Sequence, residues 1–250
     1  MMPQKMWELR KSCDEMTETA NNIEKRIVFA SLTEGRDQCS IGNAISVAKA
    51  QVALLQHPVH LEFRFENDLA AAIDYFHSNR SLDILVAVDN YLSYSVEWIT
   101  ENVLGHPDKA LITAVYPLPG VVDWDRVRDR AGDAKEPNGS KGLKYNVNAG
   151  EAGCSFTADG KFLEAKSAKL DCLIIKREAL DDIVARHPEI VHDGGILAFV
   201  ESIKNGKKLT RDETFCQLWS KTIYADIEHP AASFGTQVFA GVIGLRNQIR

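Results

Sequence analysis

The chain is poor in the features that announce the commonest functional sites. Its 250 residues hold five cysteines, Cys13, Cys39, Cys154, Cys172 and Cys216, an odd count with no Cys-x-x-Cys pair. A disulfide framework or a structural zinc site is therefore not expected, and a reducing, cytoplasmic compartment fits. No apolar run approaches the roughly 20 residues that span a bilayer. The N-terminal stretch has no apolar signal-peptide region and reads as polar. Gly-x-Gly-x-x-Gly, a phosphate-binding P-loop and Gly-x-Ser-x-Gly are all missing, which removes support for a Rossmann dehydrogenase, a P-loop kinase or an esterase elbow. The seven histidines are scattered, none at the helix spacing of metal ligands, and only His229 near the C-terminus draws notice. The net charge of −6 argues against a broad phosphate-backbone footprint, so a nucleic acid polymer is not an expected partner. What remains is 45% hydrophobic and 26% charged, the composition of an ordinary globular protein large enough for one sizeable core.

The hydrophobic patterning alternates between strand and helix. Residues 26–32 read as a first strand. A helix follows, capped by Ser40, with Ile41, Ile45, Ala48, Val52 and Leu55 marking a buried face at spacings of three and four. Residues 59–65 alternate as a half-covered strand, and Asn67 is placed to cap a helix that turns Leu69, Ala72, Ile73 and Phe76 inward. The apolar run from Ile84 to Asp89 is a buried strand, Ser95 caps a short helix carrying Val96, Trp98, Ile99 and Val103, and residues 110–116 form the next strand. This order predicts a mostly parallel sheet flanked by helices, joined by right-handed crossovers. Residues 126–151 are polar and rich in Gly, Asn and Lys, and read as a solvated loop or an active-site lid. Beyond them come a hairpin about Ala158-Asp159-Gly160, a strand at 170–175, helices from Arg177 and Thr210, and a short strand at 223–227.

Three places can carry chemistry. Asp89 ends a buried strand, where open α/β sheets bind ligands. It either touches the ribose or diphosphate of a nucleotide, directly or through Mg²⁺ or Mn²⁺, or simply closes a strand-turn junction. Asp212 and Glu213 begin a helix. Thr210 and Glu213 fit a capping box, which explains Glu213 better than Asp212 and leaves Asp212 as the candidate general base. Tyr116-Pro117 followed by Asp123-Trp124 pairs an acid with aromatics, a common way to hold a sugar or base ring.

The order of these features resembles that of a GT-A-fold glycosyltransferase of the family-2-like kind. The apolar strand into Asp89-Asn90-Tyr91 stands where that family has Asp-x-Asp. Val96-Glu97-Trp98, Val115-Tyr116-Pro117, Asp123-Trp124, Ile174-Ile175-Lys176-Arg177, Asp212-Glu213-Thr214-Phe215-Cys216 and Trp219 follow in the family's order. Two departures stand out. Tyr91 replaces the second Asp, and Phe234 falls where the family often has a metal-binding His, leaving His229 five residues earlier.

The resemblance implies a single GT-A-like α/β domain over residues 26–250, after a polar segment 1–25. Residues 26–125 would form the nucleotide-sugar half and 152–250 the acceptor half. The implied donor contacts are Thr33, Arg36, Asn67, Asp89, Asn90 and Tyr91, and the acceptor contacts Tyr116, Asp123, Trp124 and Trp219. Asp212 and Glu213 are the catalytic candidates, and Asp89 and His229 the metal candidates. The expected partners are a nucleotide-sugar and a carbohydrate or glycoconjugate acceptor, with Mn²⁺ or Mg²⁺ in doubt because two ligands are replaced together. Arg36, Lys144, Arg177 and Arg211 are the cations available to offset a diphosphate. A non-catalytic relative that keeps the fold for binding, and a nucleotidyltransferase, are the alternatives. The second lacks its Gly-rich basic loop, since Thr33-Glu34-Gly35-Arg36 offers one Gly and one Arg.

Overall fold

The computed structural model describes residues 24–35, 40–122, 124–129, 143–147 and 154–233. One eight-stranded sheet organises them. Its strands, in chain order, are β1 (Lys25–Leu32), β2 (Val59–Glu66), β3 (Ile84–Asp89), β4 (Leu111–Ala114), β5 (Ser155–Phe156), β6 (Phe162–Ala165), β7 (Cys172–Lys176) and β8 (Ile223–Asp226). Across the sheet they lie β2-β1-β3-β7-β4-β8-β6-β5. All run one way except β6 and β7. The expected α/β architecture with a mostly parallel, helix-flanked sheet is what the chain forms.

The helices are α1 (Ile41–Leu54), α2 (Leu69–Ser78), α3 (Val96–Thr100), α4 (Trp124–Asp129), α5 (Arg177–Arg186) and α6 (Arg211–Trp219). They close a core on each face of the sheet. Leu85 and Ala87 pack with Leu69, Phe76, Leu180 and Phe215 on one face. Val86 and Val88 pack with Leu54, Trp98, Ile99 and Tyr116 on the other. That two-sided burial is why β3 reads as a continuous aliphatic run rather than an alternating one. Ser40 and Ser95 cap α1 and α3 as expected. Asp68, not Asn67, caps α2 by accepting from the Ala71 amide at 3.0 Å, which leaves the Asn67 side chain exposed.

Two expectations fail instructively. The first is the inward face of α1. Ile41, Ile45, Val52 and Leu55 are all exposed, Ile41 at 80%, while Asn43, Ser46, Ala50 and Leu54 point inward. The turn after β3 must find partners for its backbone polar groups, and only a polar helix face supplies them. Asn43 Nδ2 donates to the Asp89 and Leu92 carbonyls at 3.2 and 2.9 Å. Ser46 Oγ bonds Tyr94 at both its carbonyl and its amide. The second is the loop at 126–151, of which 130–142 and 148–151 lie outside the described residues. Residues 124–129 are helical, and Leu143–Tyr145 pairs with a strand at Pro117–Val122. Tyr145 and Val147 are buried in the core, so this part of the segment is structural.

Candidate functional site

Strands β1 and β3 end side by side, and their shared edge is built by the backbone. The Asn90 amide donates to Leu32 O at 2.9 Å, and Asn90 Nδ2 reaches Thr33 O at 3.4 Å. Asp89 is 1% exposed. Its carboxylate accepts the Tyr91 amide at 3.1 Å, closing a tight Asx turn. The Asp89 amide donates to Asp171 O at 2.7 Å, across to β7.

That bond brings in the site residue that sequence reasoning missed. Because β7 runs antiparallel to β3, the residue before its first strand position lies at the edge where β3 ends. Tyr91 Oη donates to Asp171 Oδ2 at 2.5 Å. Burial and the neighbouring Asp171 carboxylate hold the Tyr91 phenol protonated, far above its ordinary range. The only sequence signal was an acid opening an apolar strand, and strand direction is not readable from a sequence.

Asp212 completes the group from α6. Its Oδ1 accepts the Leu170 amide at 3.0 Å. Burial, followed by repulsion from Asp171, pushes its carboxyl up to about 6. Glu213 plays a different part. It accepts the Thr210 amide at 2.8 Å while Thr210 Oγ1 accepts the Glu213 amide, a complete capping box. Its position is explained by the helix terminus, and burial singles out Asp212 instead.

Asp171 and Asp212 open onto a cleft of about 230 Å³, walled also by Glu34, Asp68, Glu201 and Arg211. Arg211 pairs with Asp68 at 3.2 Å, tying the α6 terminus to the cap of α2. Carboxylates outnumber cations on this wall, so a diphosphate entering here requires its charge to be offset.

Other predicted residues fall elsewhere. Tyr116 is 0% exposed. Its hydroxyl donates to Lys169 O and accepts the Asp171 amide, so it braces the 169–171 turn and offers no surface to an acceptor. Trp219 closes α6 seven positions after Asp212, about 10 Å along the helix axis, buried with its indole N–H on Thr222 O. Arg177 is at the opposite end of the sheet. Its guanidinium caps the carbonyls of Phe76, Asn79 and Leu82 and stacks on the Phe76 ring, so it is no helper for a diphosphate. Thr33 Oγ1 donates to Glu66 O. Arg36, Asp123, Phe234 and the Trp124 side chain lie outside the described residues.

His229 is not brought to Asp89. It sits beyond β8, three strand spacings or about 14 Å across the sheet, near the turn of π-helix at Glu101–Gly105 that extends α3. His229 Nδ1 lies 3.2 Å from Asp226 Oδ2, which also accepts Asn102 Nδ2 at 2.7 Å. Asp226 raises the His229 pKa. Glu101, Glu228 and His229 offer ligand atoms within 4.8 Å of one another, a donor set that suits a divalent cation. Glu228 is meanwhile paired with Lys161 at 2.7 Å. Asn102 holds this group over the α3 face of the sheet, whereas Asp212 lies on the other. The two metal candidates, Asp89 and His229, therefore lie at separate places along the sheet.

No protein-family model and no curated protein sequence matches the chain. Among solved structures it is similar to "Crystal Structure of A197 from STIV", at 14% identity over 86% of this chain and 87% of that one, with a TM-score of 0.43. It is also similar to "Crystal structure of GalNAc-T7 with UDP, GalNAc and Mn2+", at 10% identity and a TM-score of 0.39. That alignment covers 85% of this chain and spans 44% of the other. No helix among the described residues is long and apolar enough to cross a membrane.

Proposed function

We propose that this chain is a GT-A-like glycosyltransferase that moves a sugar from a nucleotide-sugar to an acceptor hydroxyl. The observation that carries the reading is the meeting of Asp89, Tyr91, Asp171 and Asp212 at one sheet edge, with Asp212 and Asp171 facing a cleft. The donor lies over the ends of β1 and β3, in the N-terminal half, and the acceptor against α6. Asp212 takes the proton of the acceptor hydroxyl as its oxygen attacks the anomeric carbon and the nucleoside diphosphate leaves. A single displacement of this kind inverts the anomeric centre. Tyr91 and Asp171 take the place of a second Asp-x-Asp carboxylate, and donor binding does not depend on Mn²⁺ or Mg²⁺. Offsetting the diphosphate falls to Arg211 on the cleft wall, released from its pair with Asp68. The cytoplasmic assignment rests on cysteine usage, with Cys172 a buried thiol.

A second reading keeps the fold for binding without catalysis. It is favoured by the engagement of Asp171 with Tyr91, which leaves a neutral phenol beside Asp89. Calorimetric titration with UDP, GDP, CMP and dTDP, each in EDTA and in Mn²⁺, tests both. Binding of one nucleotide in EDTA, with slow hydrolysis of its sugar conjugate, supports the transferase. Binding without hydrolysis or transfer supports the second reading, and no binding at all overturns both.

A further inference from the structure

Strand β2 is the outer strand of the sheet, and among the described residues no strand pairs with its far side. It is eight residues long, and natural proteins seldom leave so long an edge uncovered. Its sequence around Phe63 is His60-Leu61-Glu62-Phe63-Arg64-Phe65-Glu66. Glu66 O accepts the Thr33 amide at 2.9 Å and so faces β1. Alternation then turns the backbone groups of Leu61, Phe63 and Phe65 outward, away from the sheet.

The edge is self-complementary in one register. We infer that the chain forms a symmetric dimer in which β2 pairs antiparallel with β2 of a second copy about a two-fold axis at Phe63. This register sets Glu62 opposite Arg64, His60 opposite Glu66, Leu61 opposite Phe65, and Phe63 opposite itself. Sliding by two residues either way puts Glu62 against Glu62, or Arg64 against Arg64 and Glu62 against Glu66. Like charges directly opposite are destabilising, whereas opposite charges and aromatic pairs stabilise. Sliding by one residue sets apolar against charged side chains. The charge pattern therefore both selects the partner, a second copy, and fixes its register. Within one copy Arg64 already bridges Glu62 and Glu66 at 3.4 and 2.6 Å, so pairing extends this row into a ladder of alternating sign.

The apolar side of the edge agrees. Phe63 stacks on Phe29 and meets Phe65 edge to face, while Phe65 is 72% exposed. Phe63 and Leu61 pack on the same face of the sheet as α1. Antiparallel pairing about an axis normal to the sheet brings both copies of this face to the same side, forming a continuous apolar surface at the seam.

Sedimentation equilibrium of the full chain at micromolar concentration tests the inference. The expected mass is twice that of the 27.8 kDa chain. Arg64→Glu should weaken association by about tenfold or more, because two symmetric contacts become repulsive. The double variant Glu62→Arg with Arg64→Glu restores the complementary ladder and should restore the dimer. Hydrogen exchange of the unaltered protein gives a reading free of folding defects: the amides of Leu61, Phe63 and Phe65 should slow as concentration rises. A single-chain mass, a dimer indifferent to Arg64→Glu, or amides 61, 63 and 65 indifferent to concentration would each overturn the inference.

Discussion

Tyr91 Oη and Asp171 Oδ2 are 2.5 Å apart, the phenol donating to the carboxylate. The bond engages the Asp171 carboxylate with a neutral donor, which a carboxylate at position 91 would not supply. The consequence is local and measurable. Tyr91→Asp places a third carboxylate beside those of Asp89 and Asp171, and nucleotide binding should become responsive to Mn²⁺, weak in EDTA and recovered with the ion. Equal affinity in both conditions for this variant would remove Tyr91 from the donor site.

Asp212 should be needed for turnover and not for donor binding. Loss of a positioned general base costs roughly 10²–10⁴-fold in rate, so Asp212→Asn is expected to drop transfer by at least about 10² while calorimetry shows nearly unchanged nucleotide affinity. Glu213→Gln, which spares most of the cap, should keep activity. The reverse pattern would exchange the roles of the two acids.

The same carboxyl gives a pH signature. Burial raises it from an ordinary 3.8 to about 6. Below about 6 the base is protonated, so transfer should fall through a single ionisation near that pH. Stability should change in the opposite sense. The native state keeps a proton that the unfolded chain has lost, and unfolding free energy therefore declines as pH rises from about 4 to about 6. Denaturant melts of Asp212→Asn should lack that decline, and an identical slope in variant and parent would contradict the burial argument.

His229 should add a decline of the same sense at higher pH, because its native pKa is also raised. Asp226 raises its pKa, favouring the imidazolium. Its contribution is fully present below about 6.5, the ordinary histidine value, and is lost as pH rises through the higher native value. Thermal melts across this range should show the loss in the parent and not in His229→Gln. Added Mn²⁺ distinguishes a cation site at Glu101, Glu228 and His229: raised thermal stability in the parent, absent in Glu101→Gln, would show that the ion binds there.

Asn43 holds the turn after β3 to α1. Asn43→Ala leaves the carbonyls of Asp89 and Leu92 without these donors. Unsatisfied buried groups cost about 1–3 kcal/mol each, so a loss of about 2–4 kcal/mol is expected in chemical denaturation. A loss under about 0.5 kcal/mol, the scale of a neutral surface change, would mean that water or a shifted turn replaces the amide.

Much of the fold was legible before any coordinates, because it follows from local chemistry. Ser40, Ser95 and Thr210 cap helices through their own hydroxyls, and the aliphatic run into Asp89 could only be a doubly covered strand. The site was half legible. Asp89 and Asp212 carry visible signals, an acid ending a buried strand and an acid beside a capping box. Asp171 does not, since its place follows from the direction of β7, set by long-range pairing with β3 and β4.

Helix α1 marks the boundary most clearly. Periodicity determined that residues from Ile41 to Leu54 are helical, yet the chain carries two stripes at helical spacing, one aliphatic and one of Asn43, Ser46, Ala50 and Leu54. Hydrophobicity favoured the first. Tertiary structure chose the second, because the turn at Asp89–Tyr94 presents buried backbone groups that only Asn43 and Ser46 can satisfy. A sequence by itself determines which segments can be helix or strand, since that depends on neighbours a few residues away. Which face is buried, and which acids meet, was decided by partners 46 and 80 residues distant, whose demands exist only once the sheet has formed.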